Sequence, residues 1–214
     1  MQISKQNIPF IIVPLILVFD QVLKIWVKTN MVLGESSPVL GDWFILHFTE
    51  NYGMAFGIQF AGELGKIILS IFRIGAVVFI VWYLHRLIQK NSTKLLIASI
   101  SLILAGAIGN IIDSAFYGMI FSDSYYRTAE FLPEGGGYAR FLHGKVVDML
   151  YFPIIDTTLP DWFPLKGGER FIFFKPVFNI ADAAITTGAM MLIFFHKRLF
   201  PQHSKKQEKD TNKA

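Results

Sequence analysis

The chain has 214 residues, 53% of them hydrophobic and 17% charged, with a mean hydropathy of +0.46. A soluble domain carries about a quarter charged residues, so this apolar excess calls for a solvent other than water and points to an integral membrane protein. The absence of cysteine excludes disulfides, a thiolate nucleophile and Cys-ligated metals, and a net charge of +4, from 20 Lys+Arg against 16 Asp+Glu, is too small to indicate nucleic acid.

The first apolar window of membrane length runs from about 8 to 27. It is broken by Asp20, Gln21 and Lys24 and has no small-x-small cleavage site, so it reads as a retained span and not a cleaved leader. Asp20 and Lys24 stand i, i+4 and read most simply as a structural ion pair. The connection 28–64 holds one basic residue, Lys28, against Glu35, Asp42, Glu50 and Glu63. Within it Trp43 to Glu50 is rich in β-formers, with Phe44, Leu46 and Phe48 on one face, and predicts a strand of a small platform resting on the bilayer.

A second span is expected at about 65–84, carrying Arg73, and a third at about 94–112, ending in Asn110 and Asp113. The long connection 113–177 has mixed charge, and its Trp162, Phe163, Phe171, Phe173 and Phe174 suggest an aromatic belt at the membrane interface. A fourth span is expected at about 178–195, with Asn179, Asp182 and Thr186 at i, i+3 and i+7. Residues 199–214 read as a disordered basic tail.

Lys5, the Arg86–Lys94 connection and the basic tail would share one side, so both termini are expected in the cytoplasm and the connections 28–64 and 113–177 outside. The whole reads as one all-α membrane domain, residues 1–198, of four transmembrane helices with a small extracytoplasmic β-platform.

With helices rising 1.5 Å per residue, Asp20 lies roughly 18 Å from the inner face and Arg73 roughly 12 Å from the outer start of its span. Asp113 and Asp182 sit at the outer ends of theirs, so four spans place ionisable groups in one outer slab, where such groups are functional candidates. Small residues beside them, Ala105 to Gly109 and Ala181 to Ala184, allow close helix approach. A pocket with apolar walls and two or more carboxyl groups is what an aspartic hydrolase requires. The bland readings stand beside it: Asp113 as a water-exposed helix end, Asp182 as a dipole partner at a helix start, Asn110 and Asn179 as hydrogen-bonding residues. The competing function is a small proton- or ion-coupled carrier using the intramembrane acids; a non-catalytic scaffold is a third. The histidines show no H-E-x-x-H spacing, so neither metal nor cofactor is expected.

Five strings then carry a resemblance: Asp20-Gln-Val-Leu-Lys24, Asn51-Tyr-Gly53-Met-Ala55-Phe56-Gly57, Gly106-Ala-Ile-Gly109-Asn110-Ile-Ile-Asp113, Val146-Val147-Asp148, and Phe178-Asn179-Ile-Ala181-Asp182. In this order on a four-span chain they resemble the lipoprotein signal peptidases (signal peptidase II), aspartic peptidases of the bacterial inner membrane. The resemblance implies that Asp148 and Asp182 form a catalytic dyad, and that Asn51, Gly53, Ala55, Phe56, Asn110, Asp113, Asn179 and Ala181 position the substrate or the dyad. Asp20 and Lys24 would support the fold. It implies a diacylglyceryl-modified prolipoprotein substrate cleaved before its lipidated cysteine, an active site on the extracytoplasmic side, membrane lipid around a monomer, and no cofactor or nucleic acid. Where the family has Arg after the G-N-x-x-D aspartate this chain has Ser114, and Arg73 is expected to supply a cation to Asp113 instead. The spacings between Asp113, Asp148 and Asp182 also exceed the family's common form.

Overall fold

A computed structural model of the chain describes residues 4–52, 62–162, 164, 167–173 and 175–199. Its elements run α1 (Asn7–Asn30), β1 (Ser36–Leu40), β2 (Phe44–Asn51), α2 (Gly62–Gln89), α3 (Lys94–Ile112), a π-helical turn (Asp113–Tyr117), α4 (Gly118–Ile120), β3 (Val146–Tyr151), β4 (Ile155–Thr158), β5 (Arg170–Phe173), β6 (Val177–Phe178), α5 (Ile180–Phe194) and α6 (His196–Leu199). Two compact units result: Met1–Asp20, Ile68–Ile111 and Ile180–Ala214 form the first, and Gln21–Ile67 with Ile112–Asn179 the second.

The first unit is helical. Among the described residues, three apolar helices are long enough to cross a membrane: α1, α2 from Ile68, and α3 with its continuation to Ile120. The sequence expects a fourth span over 178–195, but α5 has 15 residues, a rise of about 22 Å, and stands as a shorter apolar helix. In α3 half of the apolar window is buried, against 17% in α1 and 11% in α2. That difference makes α3 the central helix, while Phe10, Phe72 and Phe194 of its neighbours are each more than 70% exposed, as suits helices with an apolar surrounding. Close packing on α3 follows from glycine. A Cβ at Gly106 would stand 2.1 Å from the Ala181 carbonyl oxygen, and one at Gly188 would stand 2.6 Å from that of Ser99. The core gathers Ile8, Leu84, Leu87, Leu96, Ile97, Ile100, Leu104 and Leu199. The short α2–α3 turn is tied to the chain's beginning by Lys5 Nζ, which donates to the Asn91 side-chain and backbone oxygens at 2.6 and 2.9 Å.

The second unit holds an antiparallel four-stranded sheet of order β1-β2-β3-β6 and a separate β4–β5 hairpin. The strand expected at 43–50 is β2, but the strand carrying Asp148 was not foreseen. Its short V-V-D-M-L-Y run lacks a clean alternation because both of its ends and faces are differently covered, with Val146 to Met149 all buried. One face of the sheet contributes Phe48, Val147 and Met149 to a core with Val27, Met31, Tyr117, Phe121 and Ala129. The expected aromatic belt contains the hairpin: Ile155 pairs with Phe173 and Thr157 with Phe171, which puts these four on one face, and Ile155, Phe171 and Phe173 are each at least 40% exposed. Trp162 is 80% exposed. Phe163, Phe174 and the tail residues 200–214 lie outside the described residues.

Candidate active site

Each carboxylate singled out in the sequence has its own set of neighbours. Asp148, 5% exposed, sits in β3 opposite Thr49. The Asn51 side-chain amide donates to its Oδ2, and Asn179 Nδ2 donates to its Oδ1 at 2.7 Å. Asn179 is itself fully buried and also donates to the Val147 carbonyl at 3.2 Å. It precedes α5, so the expected stripe of Asn179, Asp182 and Thr186 along one helix face is not formed; Thr186 is exposed. The reason is that the helix starts two residues later than the apolar pattern suggests, leaving Asn179 in the connection from β6.

In the first unit Asp182 lies in the first turn of α5, half-buried, and accepts a hydrogen bond from Asn110 Nδ2 at 2.8 Å. The start of that helix is fixed by Asp20, whose Oδ1 accepts from the Ala181 amide at 2.8 Å, a carboxylate at a helix N-terminus where the dipole favours it. Gly109 makes room for this contact: a Cβ there would stand 2.8 Å from Asp20 Oδ2 and 3.0 Å from the Ala181 Cβ. Asn110 and Asp113, i, i+3 on α3 and its continuation, therefore have different partners, Asn110 donating to Asp182 and Asp113 accepting from Lys24, Gln21 and the Val147 amide.

Asp113 is fully buried, which excludes its reading as a water-exposed helix end. Lys24 Nζ meets Oδ2 at 2.8 Å, Gln21 Nε2 donates to Oδ1 at 3.0 Å, and the Val147 amide donates to Oδ2 at 3.2 Å. Tyr117 O–H donates in turn to Gln21 Oε1 at 3.1 Å. Asp113 thus anchors the β3 backbone one residue before Asp148. Lys24, which the i, i+4 spacing sets toward Asp20, makes this buried ion pair with Asp113 across the unit, a contact of high sequence separation that helical spacing cannot reveal. Arg73 is half-buried on α2. Gly53, Ala55 and Phe56 lie outside the described residues.

A further buried cluster escaped the sequence reading. Lys28 and Glu50 form an ion pair with both side chains within 2% of full burial, and Lys145 Nζ meets the other Glu50 oxygen at 3.2 Å. Ser124 Oγ accepts from Lys28 Nζ at 2.8 Å. The rings of Phe48, Phe121 and Tyr138 lie within 6 Å of the Lys28 ammonium, and those of Tyr52, Tyr125 and Tyr138 within 6 Å of Lys145. Burial works against the Lys145 ammonium, but the charge and hydrogen bond of Glu50, with the Tyr125 hydroxyl, outweigh it and hold its pKa above the usual lysine range. Burial likewise pushes the Tyr138 phenol up, so it stays neutral. The signal was present as a ladder: Asp20, Lys24 and Lys28 recur every fourth residue on α1.

Apolar helices long enough to cross a membrane, amides paired with carboxylates, and a small antiparallel sheet fit an integral membrane enzyme. The chain belongs to the signal peptidase (SPase) II family, whose model matches residues 12–197. It is 51% identical over 188 residues to a lipoprotein signal peptidase of Porphyromonas gingivalis, covering 87% of this chain and 81% of that one. It is 41% identical over 197 residues to a lipoprotein signal peptidase of Amoebophilus asiaticus, covering 91% and 79%. Among solved structures, two bacterial membrane enzymes determined by the in meso method share the fold. One has a TM-score of 0.55 at 23% identity over 91% of this chain and 90% of that one; the other has 0.52 at 25% identity over 86% and 89%. The carrier reading finds no support in any of these.

Proposed function

We propose that this chain is an aspartic endopeptidase of the membrane that removes the signal peptide from diacylglyceryl-modified prolipoproteins, cutting before the lipidated cysteine, with Asp148 and Asp182 as the catalytic dyad. What supports the assignment is the distribution of amide donors. The residues expected to position the dyad grip the two acids expected to react: Asn51 and Asn179 hold Asp148, and Asn110 holds Asp182. Asp20 instead accepts from a backbone amide, and Asp113 is neutralised by the buried Lys24 ammonium, with the Gln21 carboxamide and the Val147 amide as its further donors.

The chemistry needs both carboxyls on one water. Two such groups in a poorly solvated site share a single proton. N–H donors on both oxygens suit Asp148 to the ionised role, in which it takes a proton from the attacking water. Asp182, oriented by Asn110, then hydrogen-bonds the scissile carbonyl and returns a proton to the leaving amine. The substrate's acyl chains would lie in the bilayer, and α5 with its flanking residues would serve as the fourth span, both termini in the cytoplasm and the site on the outer side. Gly53, Ala55, Phe56 and Ala181 would line the substrate path in a monomer surrounded by lipid, Asp113, Asp20 and Lys24 would hold the frame, and Arg73 would supply a second cation near it.

The test is cleavage of a diacylglyceryl-modified prolipoprotein by the purified chain in lipid, beside Asp148→Asn and Asp182→Asn. Each replacement is expected to lower kcat by about 10²- to 10⁴-fold while the protein remains folded. Cleavage that survives both replacements refutes the dyad.

A further inference from the structure

The second unit buries a carboxylate where apolar packing would serve stability better. Glu50 alternates with Asn51 on β2, so the two side chains leave opposite faces of the sheet. Asn51 shares the Asp148 face. Glu50 enters the packed face with Phe48 and Val147, and there it meets Lys28 from the last turn of α1 and Lys145 from the residue just before β3. Desolvating three charges is expensive, and replacing such a triad by well-packed apolar groups is often neutral or stabilising. Stability therefore gives a poor account of it, and the pairing of β2 with β3 gives a better one.

That pairing changes register along its length. Ile45 and Leu46 oppose Tyr151 and Leu150, but after an irregularity Thr49, Glu50 and Asn51 oppose Asp148, Val147 and Val146, so β2 carries one extra residue between Leu46 and Thr49. Were the first register continued, Asn51 would oppose Lys145. The shift is one residue, about 3.3 Å, and a one-residue slip sends each side chain to the other face. Asn51 would then lose Asp148. Both lysines grip Glu50 beyond the irregularity, on the residue next to Asn51, and from two different elements.

We propose that Glu50 is a positioning residue for peptide cleavage: clamped between Lys28 and Lys145, it pins β2 in the register that delivers the Asn51 amide to Asp148. This rests on the reading of Asp148 as a member of the dyad. The clamp also uses the long connection after α3, which contributes Ser124, Tyr125 and Tyr138 to the lysines' surroundings. The unusual length between Asp113 and Asp148 thereby acquires a task, closing over the back of the strand that Asn51 terminates.

The experiment measures kcat, KM and the pH profile on a diacylglyceryl-modified prolipoprotein for Glu50→Gln, Asn51→Ala and the double variant, each normalised to folded protein. Glu50→Gln is expected to lower kcat about 10-fold or more with KM within about twofold, since a misplacement of an ångström or more at the reacting groups costs on that order. Its acidic limb should move in the same direction as that of Asn51→Ala, and in the Asn51→Ala background it should cost nothing further. Should Glu50→Gln not fold, the apolar triple Lys28→Met, Glu50→Leu, Lys145→Met keeps the core filled and is expected to fold with the same loss of kcat. A wild-type kcat and pH profile in the folded variant, or losses that add fully to those of Asn51→Ala, overturns the inference. An Asp148→Asn enzyme run alongside separates the two ideas: if it cleaves normally the dyad reading falls and the inference with it, and if it is inactive while the Glu50 variant is normal, the inference falls alone.

Discussion

Replacing Gly106 by alanine adds one methyl group at the tightest helix contact in the first unit, and its consequences can be worked from distance alone. The new Cβ would stand 2.1 Å from the Ala181 carbonyl oxygen, 2.6 Å from Ile185 Cγ1 and 3.0 Å from the Ala181 carbonyl carbon. Ordinary contact begins near 3.4 Å, so α5 must retreat from α3 by more than about 1 Å, because the nearest atoms are backbone and cannot rotate away. Overpacking of this kind costs about 1–3 kcal/mol. The retreat falls on the residue before Asp182 and on the helix whose Asp182 must accept from Asn110 across the same contact at 2.8 Å. A displacement of about 1 Å at a reacting group lowers turnover on the order of 10²-fold. Thermal unfolding in detergent and prolipoprotein cleavage measure the two effects on one preparation. Gly75→Ala is the control, since no atom lies within 4 Å of its Cβ; on α2 it should gain up to about 1 kcal/mol from helix propensity and keep its activity. A Gly106→Ala enzyme with wild-type turnover and melting temperature would refute the argument that this close approach sets the position of Asp182.

Lys24→Met leaves Asp113 buried without its ammonium partner and is expected to destabilise the chain by about 3–5 kcal/mol, read by thermal unfolding; pairing it with Asp113→Asn should recover part of that loss. A Lys24→Met protein within about 1 kcal/mol of wild type would contradict the structural role of the pair. Lys145, with its pKa held above the unfolded value, contributes stability that is complete below about pH 10.4 and disappears as pH rises through the folded value. Melting temperatures of the wild type and Lys145→Gln should therefore differ most near neutrality and converge in strong alkali; a gap that widens with rising pH has the wrong sign for this account.

Local chemistry decided much of this protein before any contact was known. Apolar windows over 8–27, 65–84 and 94–112 anticipate α1, α2 and α3 because lipid demands about 20 apolar residues of helix and nothing finer. The β-former run at 43–50 anticipates β2 by the same kind of local rule, and the five strings identify the family. The sequence also singled out Asn51, Asn110, Asp113, Asn179 and the two acids as one group. It could not pair the members of that group. Which amide meets which carboxylate depends on pairings across 31 to 97 residues, such as Asn179 and Asn51 with Asp148, and no periodicity within one element encodes them. Strand β3 was silent for a related reason: buried on both faces, it loses the alternation that marks a half-exposed strand. Lys28, Glu50 and Lys145 looked like ordinary charges beside a membrane, since a charge states its cost only when its burial is known. Tertiary structure supplied that burial, and with it the distinction between Asp113, paired with a buried lysine, and Asp148 and Asp182, held by asparagine amides.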